Sequence, residues 1–253
     1  MEIGDIALLL GAGLLAGAVN AVAGGGSLIT FPTLIATGLP PVTANVTNSI
    51  AVCPGHIASV VGSREDLQGQ RGRAWRLLPT AIVGSVLGAV LLLATPARAF
   101  ELIVPFLVLT ATVLLACQKR IQSLIGHPRQ ASPRRQTVTL QALTGVGAIY
   151  GGYFGGALGV ILVAVLALVI DEPMRRISAL KNALSATIAL ANVAVFVLFG
   201  PVSWVSVAVL APAAMAGGYF GARFARRLPN AALRWTIVAF GATVAVILLI
   251  RAL

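Results

Sequence analysis

Apolar residues fill this chain in long blocks, with neither the alternation of a half-buried strand nor the one-sided stripe of a soluble helix. Splitting it at charges, prolines and glycine clusters leaves ten segments, near 5–23, 27–37, 44–62, 76–94, 99–117, 137–154, 157–170, 177–199, 203–222 and 232–250. Most approach the length of about 20 residues that a helix needs to cross a bilayer. Backbone groups in lipid must be bonded within the segment, so helix is the expected element throughout. Two segments, 27–37 and 157–170, are short, and each follows a glycine cluster: Gly24-Gly25-Gly26-Ser27 and Gly155-Gly156-Ala157-Leu158-Gly159. The pairs 5–37 and 137–170 are then either re-entrant hairpins or fully crossing helix pairs, and the pattern leaves both open.

The segments also repeat. Pro79-x-Ala81-x-x-Gly84-x-x-x-Gly88-Ala89 returns 133 residues later as Pro212-x-Ala214-x-x-Gly217-x-x-x-Gly221-Ala222. Ala44-x-x-Thr47-Asn48 returns as Ser178-x-x-Lys181-Asn182, Gly17 with its glycine cluster matches Gly147 with its own, and Pro96 and Pro229 each introduce the last segment of a half. A duplicated unit of five segments accounts for this. Five is odd, so the second copy enters the membrane from the opposite side. The predicted fold is an all-α integral membrane protein of 8–10 transmembrane helices in two inverted-topology repeats. The first repeat covers 1–120, a basic cytoplasmic linker 121–136, and the second repeat 137–253.

Charge tests that topology. Of 18 Lys and Arg residues, 15 lie in Arg64 to Arg76, Lys119 to Arg135, Arg175 and Arg176, and Arg223 to Arg234. Short basic segments beside apolar spans are what the positive-inside rule selects. The loop from Ser63 to Trp75 is basic while its counterpart, Gly200 to Ser203, is uncharged; the loop from Thr95 to Arg98 has one Arg while its counterpart, Arg223 to Asn230, has three. This alternation suits inverted repeats and puts both termini outside the cytoplasm.

With 58% hydrophobic and 10% charged residues, the chain's partner is a lipid bilayer, and the net charge of +11 is not a nucleic-acid signature. A homodimer is left open. Cys53 and Cys117 sit inside apolar stretches, so no disulfide framework is expected. Ala21-Val22-Ala23 mimics a signal-peptidase site, but Glu2 and Asp5 stand where a signal peptide carries basic residues, and the N-terminus reads as a retained first helix.

All seven acidic residues, Glu2, Asp5, Glu65, Asp66, Glu101, Asp171 and Glu172, fall at termini, loops or segment ends. A carboxylate proton relay and a carboxylate metal site are thereby disfavoured. The intramembrane polar set is donor-rich and net positive: Asn20, Asn45, Thr47, Asn48, His56, Gln141, Lys181, Asn182, Ser185 and Asn192. An ammonium buried without a carboxylate needs a bound anion, or it must snorkel back toward Arg175 and Arg176. Gly24 to Ser27 break one helix and open another, whose N-terminal amides and partial positive charge suit an anion, with Ser27 as N-cap or ligand. Packing alone would also employ such glycines, but two clusters at matching places in two halves point to a transporter's central site.

Asn45 and His56 are eleven residues apart and share a helix azimuth; Asn48 and Ser59 share another, and Lys181, Ser185 and Asn192 form a stripe. His56 alone titrates near neutrality within the spans, which makes it the candidate for proton coupling. Cys53-x-x-His56 has no second half, so no metal is assigned, and no nucleophile, base and orienter assemble into an enzyme site.

These motifs carry a resemblance. Gly17 with Gly24-Gly25-Gly26-Ser27, Pro32 and Leu34, then Gly38-Leu39-Pro40-Pro41-x-x-Ala44-x-x-Thr47-Asn48, then the Pro79/Gly84/Gly88 helix and its echo, resemble the TauE/SafE family of sulfite and organosulfonate exporters over nearly the whole chain. The resemblance implies two inverted repeats in the bacterial inner membrane that move small sulfur-containing anions. The expected function is a secondary transporter, in the export direction, for sulfite, thiosulfate or an organosulfonate, without a cofactor. Its expected ligands are Gly24, Gly25, Gly26, Ser27, Thr47, Asn48, Gly155, Gly156, Lys181 and Asn182, with alternating access between the repeats. An anion channel, or a membrane subunit that anchors or supplies sulfur to a cytoplasmic enzyme, are the alternatives. The halves are unequal: the second cluster has no counterpart of Ser27, and Lys181 stands where the first half has Thr47.

Overall fold

The computed structural model describes residues 2–22, 24–117, 120, 133–224 and, in the last segment, 235, 238, 239, 242, 243 and 245–250. Most of the predicted linker and part of the tenth segment lie outside these residues. Among the described residues every regular element is a helix: α1 (Ile3–Val22), α2 (Ser27–Ala36), α3 (Pro41–Gly62), a 3-10 turn (Arg64–Leu67), α4 (Arg71–Ala94), α5 (Ala97–Ala116), α6 (Pro133–Tyr153), α7 (Leu158–Val169), α8 (Met174–Phe199) and α9 (Trp204–Phe224). Helices α1, α4, α5, α8 and α9 are long and apolar enough to cross a membrane. The protein is an integral membrane protein of the all-α class.

Proline sets several of the starts. Pro41 and Pro133 open α3 and α6, while Pro96 and Pro173 are the N-caps of α5 and α8. A helix's first turn has no use for the missing N–H, and the fixed φ already suits it. Pro32, Pro54, Pro79, Pro105 and Pro212 lie inside helices, which bilayer helices tolerate when neighbours re-satisfy the freed backbone groups.

The two short elements pack on the long helices that precede them, α2 on α1 and α7 on α6. With 10 and 12 residues, α2 and α7 reach about 15 and 18 Å at 1.5 Å per residue, roughly half of a hydrocarbon core of about 30 Å. Each therefore folds back on its long partner as half of a hairpin. Both hairpins turn at a glycine with positive φ, Gly24 at 82° and Gly155 at 75°. In both, that glycine's amide donates to the carbonyl five residues back, Val19 at 2.9 Å and Tyr150 at 3.1 Å.

Packing between the halves is reciprocal. Helix α1 packs on α9, and α6, its counterpart by sequence, packs on α4, the counterpart of α9. Glycines make both contacts: a Cβ at Gly17 would come within 2.2 Å of the Ala214 carbonyl oxygen, and one at Gly88 within 2.1 Å of that of Ile149. Backbones touch there without side chains between them, the close packing that substitutes in lipid for a hydrophobic drive. Outward faces carry exposed Leu14, Leu87, Val90, Phe106, Val146 and Leu198, as a lipid-facing surface should.

The two basic loops predicted to share a side do meet. Arg175 pairs with Asp66 at 3.6 Å and Arg73 with Glu172 at 3.6 Å, while Arg176 donates to the Gln68 carbonyl at 2.9 Å. At the other end of α3 and α8, the backbone amide of Ser203 donates to Thr47 Oγ1 at 3.0 Å.

Substituting Gly88 by Val is expected to lower the thermal midpoint of the detergent-solubilised protein by at least the ~1–3 kcal/mol equivalent of an overpacked core. Gly11→Ala, with nothing within 4 Å of the added methyl, should leave the midpoint in place or raise it slightly. Equal midpoints for the two variants would contradict the glycine contact.

Candidate functional site

The tips of the two hairpins meet. A Cβ at Gly24 would lie 2.2 Å from Gly159 Cα, and the Gly159 amide donates to the Gly24 carbonyl at 3.3 Å. Phe31 of α2 packs edge-on against Phe154 of the second turn, with ring centroids 5.4 Å apart. The broken helices thus abut in the middle of the bundle, flanked by α3 and α8.

Against this junction lies a cavity of about 30 Å³, lined by Ser27, Ser49, Val52, His56, Gly151, Phe154, Gly155, Leu158, Ser185, Ile188, Ala189 and Asn192. On a measure by which one water needs about 10–15 Å³, it has room for two or so. Every wall comes from a different element: α2, α3, the second hairpin and α8. Its polar lining is hydroxyl, amide and imidazole, with no carboxylate. A larger cleft of about 380 Å³, lined in part by Arg73, Arg76 and Gln141, lies at the basic face rather than between the hairpins.

The structure redistributes the expected ligands. Of that set, Ser27 and Gly155 line the cavity, together with His56, the proton-coupling candidate. Ser27 is the first residue of α2 and not its N-cap, which is Gly26. The Gly26 amide is already engaged by Asn20 Oδ1 at 2.7 Å, so the preceding helix, through its own asparagine, holds the start of α2. Gly25 packs against Leu115, and the Gly156 carbonyl accepts from Tyr150 Oη at 2.7 Å. Asn48 Oδ1 accepts a short hydrogen bond from the Thr30 hydroxyl, and Thr47 is bound to Ser203. Asn182 Nδ2 donates to Ser63 Oγ at 3.2 Å, while its buried Oδ1 has no hydrogen-bond partner among the described residues.

Lys181 has not snorkelled. It is 1% exposed, and its Nζ donates to the carbonyls of Asn20 at 2.8 Å and Ala21 at 3.3 Å, at the broken end of α1.

Ser49, Gly151, Ser185 and Asn192 also line the cavity. The stripe of Lys181, Ser185 and Asn192 announced two of them, and Ser49 stands seven residues before His56, two turns along the same face. What no pattern announced is how Asn192 is held: Ser85 donates to its Oδ1 at 2.6 Å, and its Nδ2 donates to the Gly151 carbonyl at 3.1 Å. Asn45 likewise reaches the second hairpin, through Nδ2 to the Tyr153 carbonyl at 2.9 Å.

Comparison with known proteins follows this geometry. A family model described as sulfite exporter TauE/SafE matches residues 9–248. A probable membrane transporter protein of Haemophilus influenzae is 28% identical over 231 residues, covering 88% of this chain and 87% of the relative. The probable membrane transporter protein YfcA of Escherichia coli K12 is 29% identical over 218 residues, 85% of this chain and 77% of its own. In Sinorhizobium, the probable membrane transporter protein ORF9 is 27% identical over 225 residues, 87% and 83% of the two chains. No solved structure matches.

Asn192→Leu should destabilise the protein by ~1–3 kcal/mol, since the Gly151 carbonyl and Ser85 hydroxyl lose a partner within the bundle. Ser49→Ala should change stability by less than ~1 kcal/mol, because the Ser49 hydroxyl bonds only to its own helix, at the Asn45 carbonyl. Thermal unfolding in one detergent compares them.

Proposed function

The chain belongs to the sulfite exporter TauE/SafE family of membrane transporters, and on that premise we propose that it is a secondary exporter of a small sulfur-containing oxyanion such as sulfite, thiosulfate or an organosulfonate. One observation carries the anion reading. The centre of the bundle holds hydroxyl, amide and imidazole groups beside the Lys181 ammonium, while all seven carboxylates lie at loops, termini or helix ends. Carbonyl dipoles solvate that ammonium at Asn20 and Ala21 but bring no counter-charge, and a bound anion would supply one.

Ser27, Ser185 and Asn192 supply donors to the oxyanion in this reading, His56 is the proton-coupling group, and Lys181 acts on the substrate through its charge. The cavity of about 30 Å³ is tight for an oxyanion of four or more heavy atoms, so substrate entry has the hairpin tips part from α3 and α8. Reciprocal packing of α1 on α9 and of α6 on α4 supports two inverted units that rock against each other to alternate access. The paired basic loops face the cytoplasm in a bacterial inner membrane, with the termini opposite.

In a screen of sulfite, thiosulfate, sulfate, sulfoacetate, taurine and lactate, purified protein should be stabilised, in a concentration-dependent way, by one of the sulfur compounds and not by lactate alone. Ser27→Ala should weaken that binding roughly tenfold or more, the loss of a charge-assisted hydrogen bond worth ~1.5–3 kcal/mol. Stabilisation by none of these anions would overturn the substrate reading. In proteoliposomes, external substrate should accelerate efflux of labelled substrate, as a carrier requires and a simple pore does not. His56→Gln should flatten the pH profile of that efflux; an unaltered profile removes histidine from proton coupling.

A further inference from the structure

The carbonyls at the broken end of α1 face an ammonium, and the second hairpin shows that hydrogen bonding alone did not call for one. Asn20 precedes Gly24 by four residues, as Gly151 precedes Gly155, and each glycine caps its helix with positive φ and the same five-back bond. At the second end, the Gly151 carbonyl is satisfied by the neutral amide of Asn192. At the first, the Asn20 and Ala21 carbonyls are satisfied by Lys181 Nζ at 2.8 and 3.3 Å. Both donors come from α8, eleven residues apart on one stripe.

A helix's last carbonyls carry roughly half a negative charge, and carbonyls at such broken ends are where secondary transporters coordinate a coupling cation. Here a cation is present, but it is covalently attached. Lys181 is buried to 1% exposure, a Cβ added at Gly159 would lie 3.1 Å from its Cδ, and the partners of its ammonium are oxygens of the helix end. We propose that the Lys181 ammonium is a tethered substitute for a coupling alkali cation. It fills the cation position at the end of α1, so this carrier binds no sodium there, and removing the side chain uncovers a sodium site built from the Asn20 and Ala21 carbonyls.

The proposal concerns cation binding and stands apart from the identity of the anion, so its test uses no substrate. Thermal midpoints of the purified full chain are compared in sodium chloride, choline chloride and methylammonium chloride at equal concentration and pH. The wild type should give one midpoint in all three salts. Lys181→Ala should be lowered by several degrees in choline chloride and recover most of that loss, saturably, in sodium or methylammonium chloride.

A variant whose midpoint is the same in all three salts would overturn the proposal. So would rescue by methylammonium alone, which marks a hole shaped for an alkylammonium and not a sodium site. A wild type as responsive to sodium as the variant would overturn it equally. If Lys181→Ala is not recovered folded, Lys181→Gln carries the same comparison with the same outcomes. Failure of every anion to bind leaves this result untouched, and an Lys181 variant indifferent to sodium leaves the anion reading untouched.

Discussion

Everything at the centre of this protein depends on two backbones touching where two helices break. Gly24 and Gly159 leave no room for a side chain between the hairpin tips, and the bond from the Gly159 amide to the Gly24 carbonyl joins the halves directly. Elsewhere in a bilayer, irregular backbone is tolerated only when it is buried in protein or lines a cavity. This junction does both. Ser27 and Gly155 at the hairpins line the same cavity as His56 of α3 and Asn192 of α8. A branched residue at either glycine would separate the tips and dissolve the cavity with them.

Electrostatics adds direction to that geometry. The interior has a lysine and no carboxylate, so its charge is answered by helix-end carbonyls and, in our reading, by a transported anion. Helix α8 is the element that binds these parts together: Lys181 reaches the first hairpin, Asn192 the second, and Ser185 lies between them on the cavity wall. Small movements of α8 relative to the hairpins would therefore alter the cavity and the fixed charge at once.

Much of the fold could be read from the chain. Apolar blocks of span length, prolines at helix starts and the doubled Gly-x-x-x-Gly motifs anticipated the helices, and both glycine clusters proved to be helix breaks. The family followed from the same motifs. The site was less legible. Ser27 read as an N-cap or a ligand because hydroxyl residues favour both positions; the helix begins one residue earlier, with Gly26 as N-cap and its amide held by Asn20 of the preceding helix. Thr47 and Asn48, expected as ligands, hydrogen-bond to Ser203 and Thr30, partners that no local pattern announced.

The sequence by itself determined that this chain lives in a bilayer as helices, that glycine breaks fall at Gly24 and Gly155 among recurring motifs, and that no carboxylate sits at its middle. Those properties follow from local chemistry: transfer of side chains to lipid, backbone freedom at glycine, and charge counted along the chain. Only the tertiary structure decided which donors remain for a ligand, because a polar group in lipid takes whatever acceptor packing brings near. It sent Lys181 to carbonyls 160 residues or more away in the chain and gave Asn192 to Gly151, and periodicity along one helix holds no record of the other.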